Sequence, residues 1–308
     1  MASFGYTGSA QSYDVSNLDR VRLQLWGAGG QDGQDGNNPG GPGGLGGELD
    51  VVADVSALNS LDIYVGGGNG NTWGHFNGGL GGDATDSTSG AGGRGAGRTA
   101  VTDGSGNVIA ASEGGGGGGG GGGDNFTDGG GGGGGGGAAG GNGGGADGQA
   151  GEDAGGTGDG GNGGFGESSN TDGGSGEDGG YARDTGLTTV QTATVGGGNT
   201  GNASVDVEPL PTAPENVQQD IEDDDTATVT WSEDTDSGPV DNYEVEISTD
   251  GGSWTLVASP GSGTTTHTET LARATDSVQF RVRAVNSSGS SDWVETSTQT
   301  TNVSGLQI

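Results

Sequence analysis

The sequence predicts an all-β chain in two parts. An N-terminal β-sandwich carries an inserted polyglycine II helix bundle, and a C-terminal immunoglobulin-like sandwich follows. Three observations predict this. Short runs of alternating apolar and polar residues recur towards both ends of the chain, the pattern of half-buried strands. Between them lie ten consecutive glycines, Gly114–Gly123, and nine more, Gly129–Gly137. Hydrophobic residues make up only 26% of 308 residues, too few for one large core, while glycine supplies 80.

In the first segment, about 1–112, Val21, Leu23 and Leu25 share one face, with Arg20, Arg22 and Gln24 on the other. Leu61, Ile63 and Val65 alternate in the same way. Ala100–Ala111 reads as a hairpin turning at Asp103-Gly104-Ser105-Gly106-Asn107. The glycine-rich insertion occupies about 113–185, and strand character returns at Thr188–Val195 and Ala203–Val207 to close the sandwich. The expected domains are therefore 1–208 and 209–301, with 302–308 as a tail. Pro209, Pro211 and Pro214 mark the linker between them.

Two readings compete for the insertion. Glycine-rich sequence commonly forms a flexible linker. The other reading is polyglycine II, an extended three-fold helix rising about 3.1 Å per residue without internal hydrogen bonds. Every N–H and C=O then points outward and must find a partner on a neighbour. Collagen is excluded, because the chain has 7 Pro and no strict triplet repeat. Flanking strands and the turn Asp124-Asn125-Phe126-Thr127-Asp128 between the runs favour paired rods.

The charge narrows the setting. There are 42 acidic residues against 8 basic ones, all arginine, for a formal charge of −34. Such a surface repels itself at ordinary salt and is screened at molar salt. An Asp-rich surface without lysine points to a salt-in halophile, hence to a haloarchaeal host or its virus. Nucleic-acid binding is disfavoured, since no basic patch meets phosphates. No apolar stretch reaches the 18 residues of a membrane span, so no membrane insertion is expected. The N-terminal residues show no charged region followed by an apolar one, so no signal peptide is expected. That fits a virion protein released by lysis and extracellular thereafter. With no cysteine there is neither a disulfide nor a thiolate site.

The opening residues Phe4-x-Tyr6-Thr7-Gly8-x-x-Gln11-x-Tyr13-x-Val15 precede Trp26-Gly27-Ala28-Gly29-Gly30, Val65-Gly66-Gly67-Gly68 and Asn77-Gly78-Gly79. This pattern, over about 4–207, resembles the glycine-rich ectodomain module of anaplastic lymphoma kinase and leukocyte tyrosine kinase receptors. It is similar in plan to the glycine-rich tail-fibre adhesins of T-even-type phages, which stack polyglycine II helices and display loops at their tip. The receptor cysteines are missing here, and no kinase or transmembrane segment follows. The third segment resembles a fibronectin type III domain. Ala227, Val229 and Trp231 stand where that family places its core tryptophan. They are followed by Tyr243, Val245 and Ile247, by Trp254 and Leu256, and by Phe280–Asn286 with Gly289 and Trp293. The family's tyrosine two positions before Phe280 is Val278 here, so the tyrosine corner is lost.

Catalytic constellations fail. His75 and His267 are the only histidines and fall in different domains, against a triad or a histidine metal site. Matches to Gly-x-Gly-x-x-Gly lack any βαβ context. No enzyme, cofactor or metal is expected. For Glu222-Asp223-Asp224-Asp225 a solvated loop outweighs a cation site. Binding candidates are the rings that interrupt glycine and their polar neighbours: Trp73, His75, Phe76, Asn125, Phe126, Phe165 and Tyr181. Aromatic faces beside Asn and Asp suit the stacking and hydroxyl bonding of sugars. In the alternative reading these rings cap the sandwich or the lattice ends. The expected function is that of a structural, adhesive virion protein, a tail fibre or tail-tip component, contacting other virion proteins and a host surface protein or glycan. A homo-oligomer is expected. The rivals are a capsid or tail decoration protein, a haloarchaeal surface matrix protein and, more distantly, a glycan-degrading enzyme.

Overall fold

The computed structural model describes residues 1–67, 89–120, 176, 178, 180–184, 186–194, 203–223, 226–234, 238–272 and 275–301. Among these every regular element is a strand. The chain divides into two compact units, Met1–Ser16 with Arg22–Val207, and Asn17–Val21 with Glu208–Ile308.

The first unit holds two five-stranded sheets. One has the order β1-β10-β3-β4-β9, built from Ala2–Gly5, Ser204–Pro209, Arg20–Trp26, Glu48–Asp54 and Thr188–Thr194. The other has the order β2-β5-β6-β7-β8, from Gln11–Asp14, Ser60–Tyr64, Thr99–Asp103, Val108–Ser112 and Tyr181–Arg183. The expected alternation holds: Val21, Leu23, Leu25, Leu61 and Ile63 are fully buried. Arg22 faces the other way and grips the Asp50 carboxylate through two nitrogens, at 3.0 and 2.6 Å. Phe4 and Tyr13, on edge strands of different sheets, meet edge to face at 6.1 Å. The β6–β7 hairpin turns as expected. Asp103 accepts the amides of Ser105 and Asn107, and Gly106 takes φ +86°, a value that favours glycine.

From this sandwich extends a group of glycine-rich segments joined almost entirely by backbone bonds that recur every third residue. Gly27, Gly30 and Gly33 donate to the carbonyls of Gly47, Gly44 and Gly41. Gly41, Gly44 and Gly47 donate in turn to Gly119, Gly116 and Glu113. Gly115 and Gly118 donate to Ala28 and Gln31, while Gly93 and Ala96 donate to Gly118 and Gly115. Gln31 and Gln34 donate to Arg94 and Ala91, and Gly176 donates to Pro42. Segment 113–120 is buried throughout and touches all three others. Its neighbours come from 27–34, 40–47 and 90–97, stretches expected to be loops of the sandwich. They lie outside the expected insertion because the alternation of strands carries no information about which glycine pairs with which. The second run, Gly129–Gly137, and the turn 124–128 lie outside the described residues.

Glycine is required here by closeness of approach. A Cβ on Gly30, Gly115 or Gly118 would fall inside 3.0 Å of the backbone of Gly116, Gly44 and Gly41 respectively, nearer than real Cβ atoms come. The base of the group is fixed by polar side chains. The Thr99 hydroxyl accepts the Gly66 amide at 3.0 Å, and Ser112 Oγ donates to the Gly47 carbonyl at 2.5 Å. One residue beyond this register pair, Arg98 Nε and Glu113 Oε1 form an ion pair at 2.9 Å, with side chains only 5% and 0% exposed.

The second unit holds a three-stranded sheet, β11-β12-β15 (Glu215–Asp223, Thr226–Ser232, Thr266–Thr270). Its second sheet has the order β14-β13-β16-β17 (Thr255–Ala258, Asn242–Thr249, Ser277–Asn286, Gly289–Ser290). The short strands β18 (Val294–Glu295) and β19 (Gln299–Thr300) also pair with β16.

Candidate functional site

Of the seven residues singled out from the sequence, Trp73, His75, Phe76, Asn125, Phe126 and Phe165 lie outside the described residues. Tyr181 opens β8 opposite Ser112, at the base of the glycine segments, and is 40% exposed. The next exposed apolar side chain along the chain is Leu187, in the turn before β9. At the far end of segments 27–34 and 40–47 is an open hollow of about 480 Å³, lined by Asp32, Gly33, Gln34, Asp35, Gly40 and Pro42. It offers carboxylates and amides with little apolar surface. Among the described residues no three His, Asp or Glu side chains converge on a point that suits a metal ion. The described residues include no helix long and apolar enough to cross a membrane.

The core of the second unit is a tryptophan beside a tyrosine. Trp231 on β12 and Tyr243 on β13 stand 5.3 Å apart at 61°, and they pack with Val229, Val245, Phe280 and Val282 between the two sheets. Gln219 on β11 reaches the other sheet and donates to the Val278 carbonyl at 3.0 Å. Val278, which stands in place of the tyrosine of the corner, is fully buried. The family model of the fibronectin type III domain matches residues 212–300. Residues 212–300 are a fibronectin type III domain.

The solved structures similar to the chain include a mutant of the designated FN3tt domain, at 26% identity and a TM-score of 0.25, covering 30% of this chain and 97% of that one. Titin kinase with its flanking domains is 27% identical with a TM-score of 0.27, covering 30% and 17%. The twitchin kinase region from C. elegans is 29% identical with a TM-score of 0.26, covering 29% and 16%. The chain thus spans about a sixth of the length of the two kinase-bearing structures. It has no significant match among curated proteins. Fibronectin type III domains are generally non-catalytic, and the fold alone does not say what such a domain does.

The outer face of this domain carries an aromatic and cationic stack that the sequence did not mark as a site. Arg281 lies 4.5 Å from the ring centroid of Trp254 and 4.4 Å from that of Trp293; Arg283 lies 4.4 Å from Trp293. Each such contact is worth about 0.5–1 kcal/mol at an exposed position. Glu246 and Glu244, directly across from these arginines on β13, bind them at 2.5 Å. Beside Glu246, Leu256 is 51% exposed. The available signal was the alternation of Arg281 and Arg283 with buried Phe280, Val282 and Ala284. It puts both arginines outside, where only rings on the same face reach them. Tryptophan and arginine on one face are among the residue types that carry binding energy at protein interfaces. Asn286, in contrast, is engaged inside the domain: its Nδ2 donates to the carbonyls of Pro209 and Pro239 and the residue is 9% exposed.

Burial first, and the Glu233 carboxylate second, push the Tyr243 phenol up to about 12. An unfolded tyrosine ionises near pH 10, so the folded state holds a proton that the unfolded state releases. The associated stability is present in full below pH 10 and is lost as pH rises towards 12. Tyr243→Phe should flatten the stability profile of this domain between pH 10 and 12, as read by urea unfolding.

Proposed function

We propose that the chain is a structural and adhesive virion protein of a haloarchaeal virus, a tail fibre or tail-tip component that takes part in attachment to the host surface. In this reading the glycine segments are polyglycine II helices forming a rigid platform. The observation that carries it is the three-residue recurrence of backbone bonds among 27–34, 40–47, 90–97 and 113–120. A three-fold extended helix turns equivalent groups to the same side at that interval. Such a unit needs no hydrophobic core and resists bending through many bonds, each worth about 1 kcal/mol net. That suits a display scaffold. The −34 formal charge supports the halophilic setting.

Contact with a host protein or glycan then falls to two places: the ring-bearing stretches 73–76 and 125–126, and the outer face of the fibronectin type III domain at Trp254, Leu256 and Trp293. The test is binding of the labelled full chain to haloarchaeal cells in molar salt. Wild-type protein should bind saturably. Either deletion of 124–128 or the double change Trp254→Ala with Leu256→Ser should weaken binding about tenfold or more. Absence of saturable binding by the wild type would overturn attachment. Binding to virions but not to cells would instead assign the chain to particle decoration.

A further inference from the structure

Rings and arginines alternate along the outer face of the fibronectin type III domain. Arg281 Cζ lies 4.5 Å from the Trp254 ring centroid and 4.4 Å from that of Trp293, and Arg283 Cζ lies 4.4 Å from Trp293. The order is therefore Trp254, Arg281, Trp293, Arg283. Such a ladder has two ends. Arg283 closes one of them, where Glu244 takes its guanidinium. At the other end Trp254 has one guanidinium over its ring, whereas Trp293 has two. Among the described residues no further cation reaches Trp254. The ring is half-buried, with Ser253 and Thr255 exposed beside it and Leu256 51% exposed two residues on.

The charge around the ladder selects what can extend it. Glu246 and Glu244 hold the two arginines, and Glu295 on β18 stands directly across from Arg281. Three carboxylates thus meet two guanidiniums, in a chain of formal charge −34. From Gly251 to Thr266 the sequence has no acidic or basic side chain to compete for the ring. An anion is repelled at such a place. A neutral sugar stacks on a ring but draws nothing from the negative surplus. A cation gains from the ring quadrupole and from the surplus together. Arginine suits the position best, because its planar guanidinium stacks on a ring as Arg281 already does. It is also more weakly hydrated than an ammonium, so the stack persists where molar salt screens simple attraction.

We propose that Trp254 receives an arginine side chain from a protein partner, which adds a rung to the Trp254–Arg281–Trp293–Arg283 ladder. Leu256 supplies the apolar contact beside it. The biological source of the partner rests on the attachment reading above, within which the outer face of this domain then meets a protein and not a glycan.

The test is a titration of the full chain in molar salt, followed by NMR at the indole N–H groups. The chain has 5 Trp, and Trp254→Phe identifies the Trp254 signal by its loss. The probes are end-blocked Gly-Arg-Gly, Gly-Lys-Gly and Gly-Glu-Gly peptides, tetramethylammonium and maltose. The arginine peptide should shift the Trp254 signal saturably and leave that of Trp231, only 5% exposed, in place. The lysine peptide should bind about twofold or more weakly, and the glutamate peptide and maltose should leave the signal unmoved. No saturable shift at Trp254, or an equal response to the lysine peptide, would overturn the proposal. A stronger response to tetramethylammonium would give the ring to a small free cation, and a saturable response to maltose would give it to a glycan; either outcome also overturns it. No cells enter this titration, so its failure is separable from a failure of host attachment.

Discussion

Replacing Glu113 by alanine should destabilise the N-terminal unit by about 3–5 kcal/mol, the loss observed when one partner of a buried ion pair is removed. The side chain is fully buried and Arg98, its partner at 2.9 Å, is only 5% exposed. Arginine stays charged at any accessible pH, so the variant removes the Glu113 carboxylate from a buried charge. The position magnifies the effect. The pair lies one step beyond Thr99 and Ser112, where β6 and β7 pass into glycine segments, and the backbone of Glu113 bonds both Gly47 and Gly180. Loss of the pair should therefore loosen the base of all four segments. The double change Arg98→Met with Glu113→Leu should recover most of the stability, because an apolar pair of similar volume carries no desolvation cost. Thermal unfolding of the three proteins decides it. A Glu113→Ala variant within about 1 kcal/mol of the wild type would show that the pair is hydrated and not structural.

Gly118→Ala should cost about 3 kcal/mol or more, although it adds one methyl group to a residue without special φ. Its Cβ would fall inside 3.0 Å of the carbonyls of Gly41 and Pro42. Both obstacles are backbone, so no side-chain rotation relieves the clash, and segment 113–120 must withdraw from 40–47. Withdrawal strains the bonds from Gly118 to Gln31 and from Gly93 to Gly118 at the same time. Gly5→Ala is the control: a Cβ there meets nothing within 4 Å. It should lie within about 1 kcal/mol of the wild type and can be stabilising through the unfolded chain. Equal effects at the two positions would mean that the glycine segments are not held in close contact.

Much of the fold was legible. Val21, Leu23 and Leu25 alternate with Arg20, Arg22 and Gln24, and that period of two is all a half-buried strand needs. The Asp103–Asn107 turn was readable because aspartate and glycine have specific roles there. In the C-terminal domain, Trp231, Tyr243 and the Phe280–Asn286 run fixed both pattern and family. The partners of the first glycine run were not legible. Ten identical residues carry no side-chain register, and the information sits in other segments, in the spacing of Gly27, Gly30 and Gly33. The stack of Arg281 between Trp254 and Trp293 was hidden for a different reason. It joins residues from three separate stretches, and the period of two on one strand does not say which rings of other strands share its outer face.

The account turns on whether backbone bonds between glycine segments do the work of a core. Native-state hydrogen exchange on the wild-type chain at molar salt measures this directly. The amides of Gly41, Gly44, Gly93, Gly115 and Gly118 should exchange as slowly as those of Leu23 and Ile63 in the sandwich, opening only with the unit as a whole. Exchange of those glycines at the rate of an unfolded chain, while Leu23 and Ile63 remain protected, would contradict it.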